Sequence, residues 1–381
     1  MSINLLRSPP ASLHGARNPH VFPYTLRVLR AVRLAGGLAR YGFFTSSDRR
    51  LGRRLMGPRD LVNDQHAMNK IAFLFPGQGS QYTGMGRDLY EHHPEVRGLF
   101  EEASETTAMN MTDLCFNGPD ELLKRTENAQ PAVCLVNAAC LCVLKQEGIA
   151  PHALAGHSLG EYTALYAAGA MAFGTMMDLV KNRALFMQEA AEKNPGTMVA
   201  VIGLEAEKVA RICKQALAAG YVAPANFNSP LQTILTGEAR GIEKAVELLK
   251  KAGARMVIPL KVSGAWHSKF MAAAGGRMRA ALAEAEIKKA ELPVVANATA
   301  GRVSAPEEIR EALERQVSAP VLWSASMKRL LDDGFTTFVE VGPGKVLKSL
   351  MREIAKNAMA YNVENTDTLS KFLASEKANT A

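Results

Sequence analysis

Five residues, Gly156-His157-Ser158-Leu159-Gly160, stand between a short apolar run, Ala153-Leu154-Ala155, and a helix-forming stretch that continues through Ala170. No other feature narrows the fold of this chain as much. A serine on a tight strand-to-helix turn needs small residues two positions either side, because larger ones collide. The turn exposes the hydroxyl and aims the first amides of the helix at any oxyanion formed beside it. Gly-x-Ser-x-Gly alone also occurs by chance as a glycine-rich turn; the apolar strand before it and the helix after it give it weight.

The rest of the chain alternates in the same way, as an α/β fold does. Ile71–Phe75 reads as a buried strand ending in the turn Pro76-Gly77. Helical spacing covers Leu89–Thr106, Pro131–Glu147 and Met176–Lys193. From Gly196 the texture changes: strand Thr197–Ile202, helix Ala206–Ala219, strands Val222–Phe227 and Gln232–Thr236, helix Gly241–Ala252, strand Arg255–Leu260. That β-α-β-β-α-β order is ferredoxin-like. It predicts a small domain, 196–262, inserted into a large α/β-hydrolase-like domain made of 68–195 and 263–364. The large part resumes with a helix at Lys269–Ala285, a strand at Val294–Asn297, a helix at Pro306–Gln316 and a last strand at Thr337–Val341. The polar tail, 365–381, is expected to fray.

Charge separates the first 67 residues from the remainder. They hold eleven arginines, no lysine and only Asp48, Asp60 and Asp64 as acids, so they carry the whole net charge of +8. The remaining 34 basic and 34 acidic residues balance, which argues against a nucleic-acid partner. An Arg- and Ser-rich leader poor in acids has the composition of an organelle transit peptide. An unstructured extension, or translation begun upstream of Met68, fits it as well. The expected location is the cytoplasm, or a mitochondrial or plastid matrix if the leader is a transit peptide. Five cysteines without a C-x-x-C pair argue against disulfides and zinc. No uncharged apolar run is long enough to span a membrane; Ala132–Leu144 reads as a buried helix. Neither a metal nor a cofactor is expected. Gly77-Gln78-Gly79-Ser80-Gln81 fails the dinucleotide pattern at Tyr82 and lacks the Lys of a P-loop.

A serine nucleophile needs a base. His14, His20 and His66 lie in the leader, His92 and His93 on a polar helix face, His152 beside a loop, and His157 inside the elbow, directed elsewhere. Elimination leaves His267, among small residues in Ser263-Gly264-Ala265-Trp266-His267-Ser268. A lone loop histidine is more often inert, and Arg183, in Lys181-Asn182-Arg183, reads by itself as a surface residue.

Six blocks now stand in order: Phe75-Pro76-Gly77-Gln78-Gly79-Ser80-Gln81, the elbow with Glu161-Tyr162-Thr163, Asn226-Phe227-Asn228-Ser229-Pro230, the His267 loop, Ala319-Pro320-Val321-Leu322-Trp323 and Glu340-Val341-Gly342-Pro343-Gly344-Lys345. In order and spacing, 68–362 resembles the malonyl-CoA:acyl carrier protein transacylases. The resemblance implies malonyl transfer from malonyl-CoA to acyl carrier protein, through an ester on Ser158, by a chain that acts as a monomer. It implies His267 as base, oriented by the backbone carbonyl of Gln316 where a hydrolase has an Asp. It implies Gln78 and Leu159 as the residues whose amides form the oxyanion hole. It further implies that Arg183 grips the malonyl carboxylate, that Asn226 and Asn228 line the cleft, and that Met187 walls the acyl group. Trp266, beside the base, is expected to crowd the acyl α-carbon. The same chemistry on a polyketide synthase carrier, or a serine thioesterase, are the competing readings.

Overall fold

The computed structural model describes residues 70–380, so the readings of the 1–67 leader lie outside the described residues. Among the described residues ten strands form: β1 (Ile71–Phe75), β2 (Ala153–Gly156), β3 (Thr197–Ile202), β4 (Val222–Ser229), β5 (Gln232–Gly237), β6 (Met256–Pro259), β7 (Val294–Val295), β8 (Arg302–Val303), β9 (Thr337–Val341) and β10 (Met359–Val363). They divide into a six-stranded sheet, ordered β10-β9-β1-β2-β7-β8, and a four-stranded sheet, ordered β4-β5-β3-β6. The first is parallel except at its β7–β8 edge. The second is antiparallel throughout. The chain is thus a mixed α/β fold with a parallel sheet.

β1 and β9 are apolar almost end to end because helices cover both faces of the sheet. Successive side chains alternate between the faces. Phe73 and Phe75 join the core beneath the long helix Thr126–Gln146, whereas Ala72 and Leu74 pack with Trp323 and Phe338 on the other side. That long helix is apolar enough to cross a membrane by composition, yet it is mostly buried inside the fold. In the four-stranded sheet, helices Ala206–Ala216 and Ala239–Lys251 lay Val209, Ile212, Ala245 and Leu249 onto Val199, Val201 and Leu235. Its β4 edge reaches the rest of the chain directly: Phe227 N–H donates to Val321 O at 2.9 Å and Val321 N–H to Ala225 O at 2.8 Å.

Several expectations need correction. The helix expected at Leu89–Thr106 is two, Arg87–His92 and Pro94–Thr107, because the residue before a proline is pushed out of helical geometry and His93 is extended. Thr337–Val341 is not the last strand: Met359–Val363 adds an edge to it in register. The tail after Glu364, expected to fray, is helical over its described residues. A helix, Thr366–Thr380, seals Leu369 and Phe372 against the sheet, and Thr366 N–H donates to Asp88 Oδ2 at 2.6 Å. Only Val294 and Val295 of the expected Val294–Asn297 strand pair with β2, which frees Asn297 for the site.

Candidate active site

The parallel strands β1 and β2 end side by side, and the segments leaving them, Pro76–Gln78 and His157–Ser158, meet at one end of the sheet. The approach is too close for any side chain. A Cβ on Gly77 would lie 2.4 Å from His157 O, one on Gly156 1.9 Å from Gly160 C, and one on Gly160 2.0 Å from Phe75 O. Ser158 takes a left-handed conformation, φ 51°, which non-glycine residues adopt only where the surroundings enforce it. Here they do. Ser158 N–H donates to Asn297 Oδ1 at 2.6 Å, while Ser158 O accepts from Gln316 Nε2 at 2.7 Å. Asn297 Nδ2 also holds Gly156 O, at 2.6 Å.

The hydroxyl aimed out of this turn meets two groups. Ser158 Oγ lies 2.7 Å from His267 Nε2 and accepts from Arg183 Nη2 at 3.2 Å. His267, itself at φ 56°, turns Nδ1 toward Gln316 O at 2.9 Å and Ala319 O at 3.1 Å. Two carbonyl acceptors place the proton on Nδ1 and leave Nε2 as the acceptor facing Ser158. Burial, followed by the nearby Arg183 cation, pushes the His267 imidazole down to about 3. It is therefore a neutral proton acceptor at rest. The Gln316 carbonyl stands where a hydrolase triad has an Asp.

Arg183, 1% exposed, is buried on the helix Phe173–Lys193, not at the surface. It donates to Gln130 Oε1 at 2.6 Å and to Gln316 Oε1 at 2.9 Å, and its Nε–H has no partner among the described residues. Met187, one turn on, meets Gln130 Nε2 at 3.7 Å through its sulfur. The cleft above Ser158 measures about 300 Å³ and is walled by Gln78, Met187, Asn226, Asn228 and Trp266. Asn228 Oδ1 lies 2.9 Å from His157 Nε2, so the His157 ring, edge-on to Trp323, is directed to Asn228 in the cleft wall and not to Ser158 Oγ. The amides of Gln78 and Leu159 bond to no acceptor among the described residues. A half-buried hydroxyl facing the cleft, a neutral imidazole, two spare amides and an enclosed cation suit the transfer of an acyl group that carries a negative charge.

Residues 72–373 match the family described as acyl transferase domain. The chain belongs to that family. The malonyl CoA-acyl carrier protein transacylase of Bacillus subtilis (strain 168) is 42% identical over 79% of this chain and 96% of its own length. The enzyme of the same name from Escherichia coli (strain K12) is 39% identical over 80% and 99%. Among solved structures, the malonyl-CoA:acyl carrier protein transacylase of Xanthomonas oryzae superposes with a TM-score of 0.78 at 39% identity, covering 81% of this chain and 98% of that one. A malonyl-transacylase in complex with a type II PKS acyl-carrier protein gives 0.77 at 38% identity, over 79% and 97%.

In this acyltransferase all ten site candidates fall around Ser158, but four supporting residues escape the sequence: Glu161, Gln130, Asn297 and the side chain of Gln316. Glu161 is fully buried and accepts from Gln316 Nε2 at 2.8 Å and from Asn297 N at 3.2 Å. Burial pushes its carboxyl up to about 7, against the lowering effect of those hydrogen bonds and of Arg183. The one available signal for it was an acid placed on the first turn of the elbow helix.

Proposed function

We propose that the chain transfers a malonyl group from malonyl-CoA to the phosphopantetheine thiol of acyl carrier protein, through a malonyl ester on Ser158, and so supplies fatty acid synthesis. The observation that carries this is the contact of one hydroxyl, Ser158 Oγ, with both His267 Nε2 at 2.7 Å and Arg183 Nη2 at 3.2 Å. The dyad serves any acyl transfer; the enclosed cation serves an acyl group with a carboxylate.

Ser158 Oγ attacks the thioester carbonyl while His267 Nε2 takes its proton. The amides of Gln78 and Leu159 hold the oxyanion. His267 returns the proton to the departing CoA sulfur. The carrier thiol then attacks the ester, passes its proton to His267, and Ser158 recovers it. Two backbone carbonyls fix the imidazole tautomer without a buried acid behind it. Asn226 and Asn228 face the substrate from β4, Met187 lies along the acyl group and Trp266 beside its α-carbon. We read the six-stranded part, 68–195 and 263–364, as a large α/β-hydrolase-like domain and 196–262 as an inserted ferredoxin-like domain. Their cleft keeps water from the ester. We read the chain as a cytoplasmic monomer.

The structural relative bound to a type II PKS carrier favours a second reading, the same transfer to a polyketide carrier. Incubation with labelled malonyl-CoA and each carrier, read by intact-protein mass spectrometry, separates the two. Ser158→Ala is expected to abolish both the enzyme adduct and transfer. An adduct that persists on the mutant, at Ser263 or Ser268 for example, refutes the mechanism.

A further inference from the structure

Every hydrogen-bond partner of the enclosed Arg183 is neutral: Gln130 Oε1, Gln316 Oε1 and Ser158 Oγ. A buried guanidinium is costly unless a countercharge is near. The carboxylate that acts on it is Glu161, which is likewise fully buried and makes no direct contact with it. The two are joined by a single side-chain amide. Gln316 Nε2 donates to Glu161 Oε2 at 2.8 Å, and Gln316 Oε1 accepts from Arg183 Nη2 at 2.9 Å. Glu161 Oε1 has no partner among the described residues.

We propose that Glu161 is the resident counter-ion of Arg183, coupled to it through Gln316, and that the malonyl carboxylate displaces it electrostatically, so that Glu161 takes up a proton as the malonyl ester forms. The inference rests on the malonyl-transfer reading above and deepens it. Two carboxylates cannot both stay ionised around one desolvated cation at little cost. The carboxylate in direct contact with the guanidinium keeps its charge. Glu161, one amide removed and with an oxygen lacking any donor, gives way. Its carboxylate takes one proton from solvent, and no other bond changes. Arg183, from the helix Phe173–Lys193, is the cation that bears on Glu161. Tyr162 beside it and Cys134 on the helix Thr126–Gln146 are held neutral by burial, as is His267 on the facing loop. Asn297 and Gln316, the other groups packed on it, do not titrate. With the Glu161 carboxyl already pushed up to about 7, a small added field is enough to change its state.

The experiment mixes full-length enzyme with stoichiometric malonyl-CoA in weak buffer and an indicator dye, with the adduct quantified by mass spectrometry. Proton uptake should approach about one per adduct near pH 8 and fall toward zero below about pH 6. Glu161→Gln keeps an oxygen acceptor for Gln316 and Asn297 but cannot titrate, so it should form the adduct without uptake. CoA release contributes equally in both. If the variant does not fold, an infrared difference spectrum of the wild type decides, through a new protonated-carboxyl band on malonylation that acetylation does not produce. An adduct formed without uptake, or uptake undiminished in Glu161→Gln, overturns the counter-ion role and leaves malonyl transfer standing. Absence of any adduct in the wild type overturns both.

Discussion

Arg183 does two jobs from one position, and they can be separated. In the proposed transfer it pairs with the carboxylate of the acyl group, and its charge acts on His267. A desolvated, hydrogen-bonded ion pair is worth about 2–4 kcal/mol, so Arg183→Ala should lower kcat/KM for malonyl-CoA roughly thirty- to a thousandfold relative to acetyl-CoA. Equal losses for the two substrates would make Arg183 a structural residue. The same variant tests the base. A histidine pushed down to about 3 stays neutral and competent until the solution is strongly acidic, and activity is lost as pH falls through that value. Burial is the larger cause and Arg183 the next. Removing Arg183 should therefore move the acid limb of the acetyl-CoA kcat/KM profile upward, toward the ordinary histidine value of about 6.5. Trp266 belongs to this scale too. It is buried in the cleft wall beside His267, and malonyl-CoA should be preferred to methylmalonyl-CoA because the extra methyl meets the indole. Equal specificity constants refute that.

The elbow works because three glycines let two strand ends and a helix start occupy nearly the same space. A methyl on Gly160 would sit 2.0 Å from Phe75 O, a backbone atom that cannot swing away. Gly160→Ala should cost about 1–3 kcal/mol or more in urea denaturation and lower activity with it. This part was legible, because a tight turn is a local constraint written within five residues. The terminal helix was not. Its sequence, Thr366–Thr380, is mostly polar, and Leu369 and Phe372, with Leu373 partly buried beside them, reveal a buried face once β10 offers a surface for it. Phe372→Ala should cost about 3–5 kcal/mol by the same measurement. A loss under about 1 kcal/mol would mean that the helix contributes little.

At the scale of the whole chain, all assigned residues lie within 70–380 and the charge of the leader is confined to it. A chain begun at Met68 should keep its melting temperature and its malonyl-transfer rate; loss of either would tie the leader to the fold. The alternation of strands and helices up to Thr337–Val341 in outline, the elbow and its serine, and the family that the six blocks share could be read from the sequence, because each depends on neighbours or on short spacings; β10 and the helix after it could not. What only the tertiary structure decided is where the side-chain amides point. Gln316 lies 158 positions from the serine whose carbonyl it holds, and Asn297 lies 139 from the amide that it accepts. Neither carries a local pattern, since a glutamine closing an amphipathic helix looks the same whether it faces water or a buried ion pair. The network from Ser158 through Gln316 to Glu161 and Arg183 exists only where the parallel sheet brings four distant segments to one end. Burial there, not residue type, gives its charges their strength.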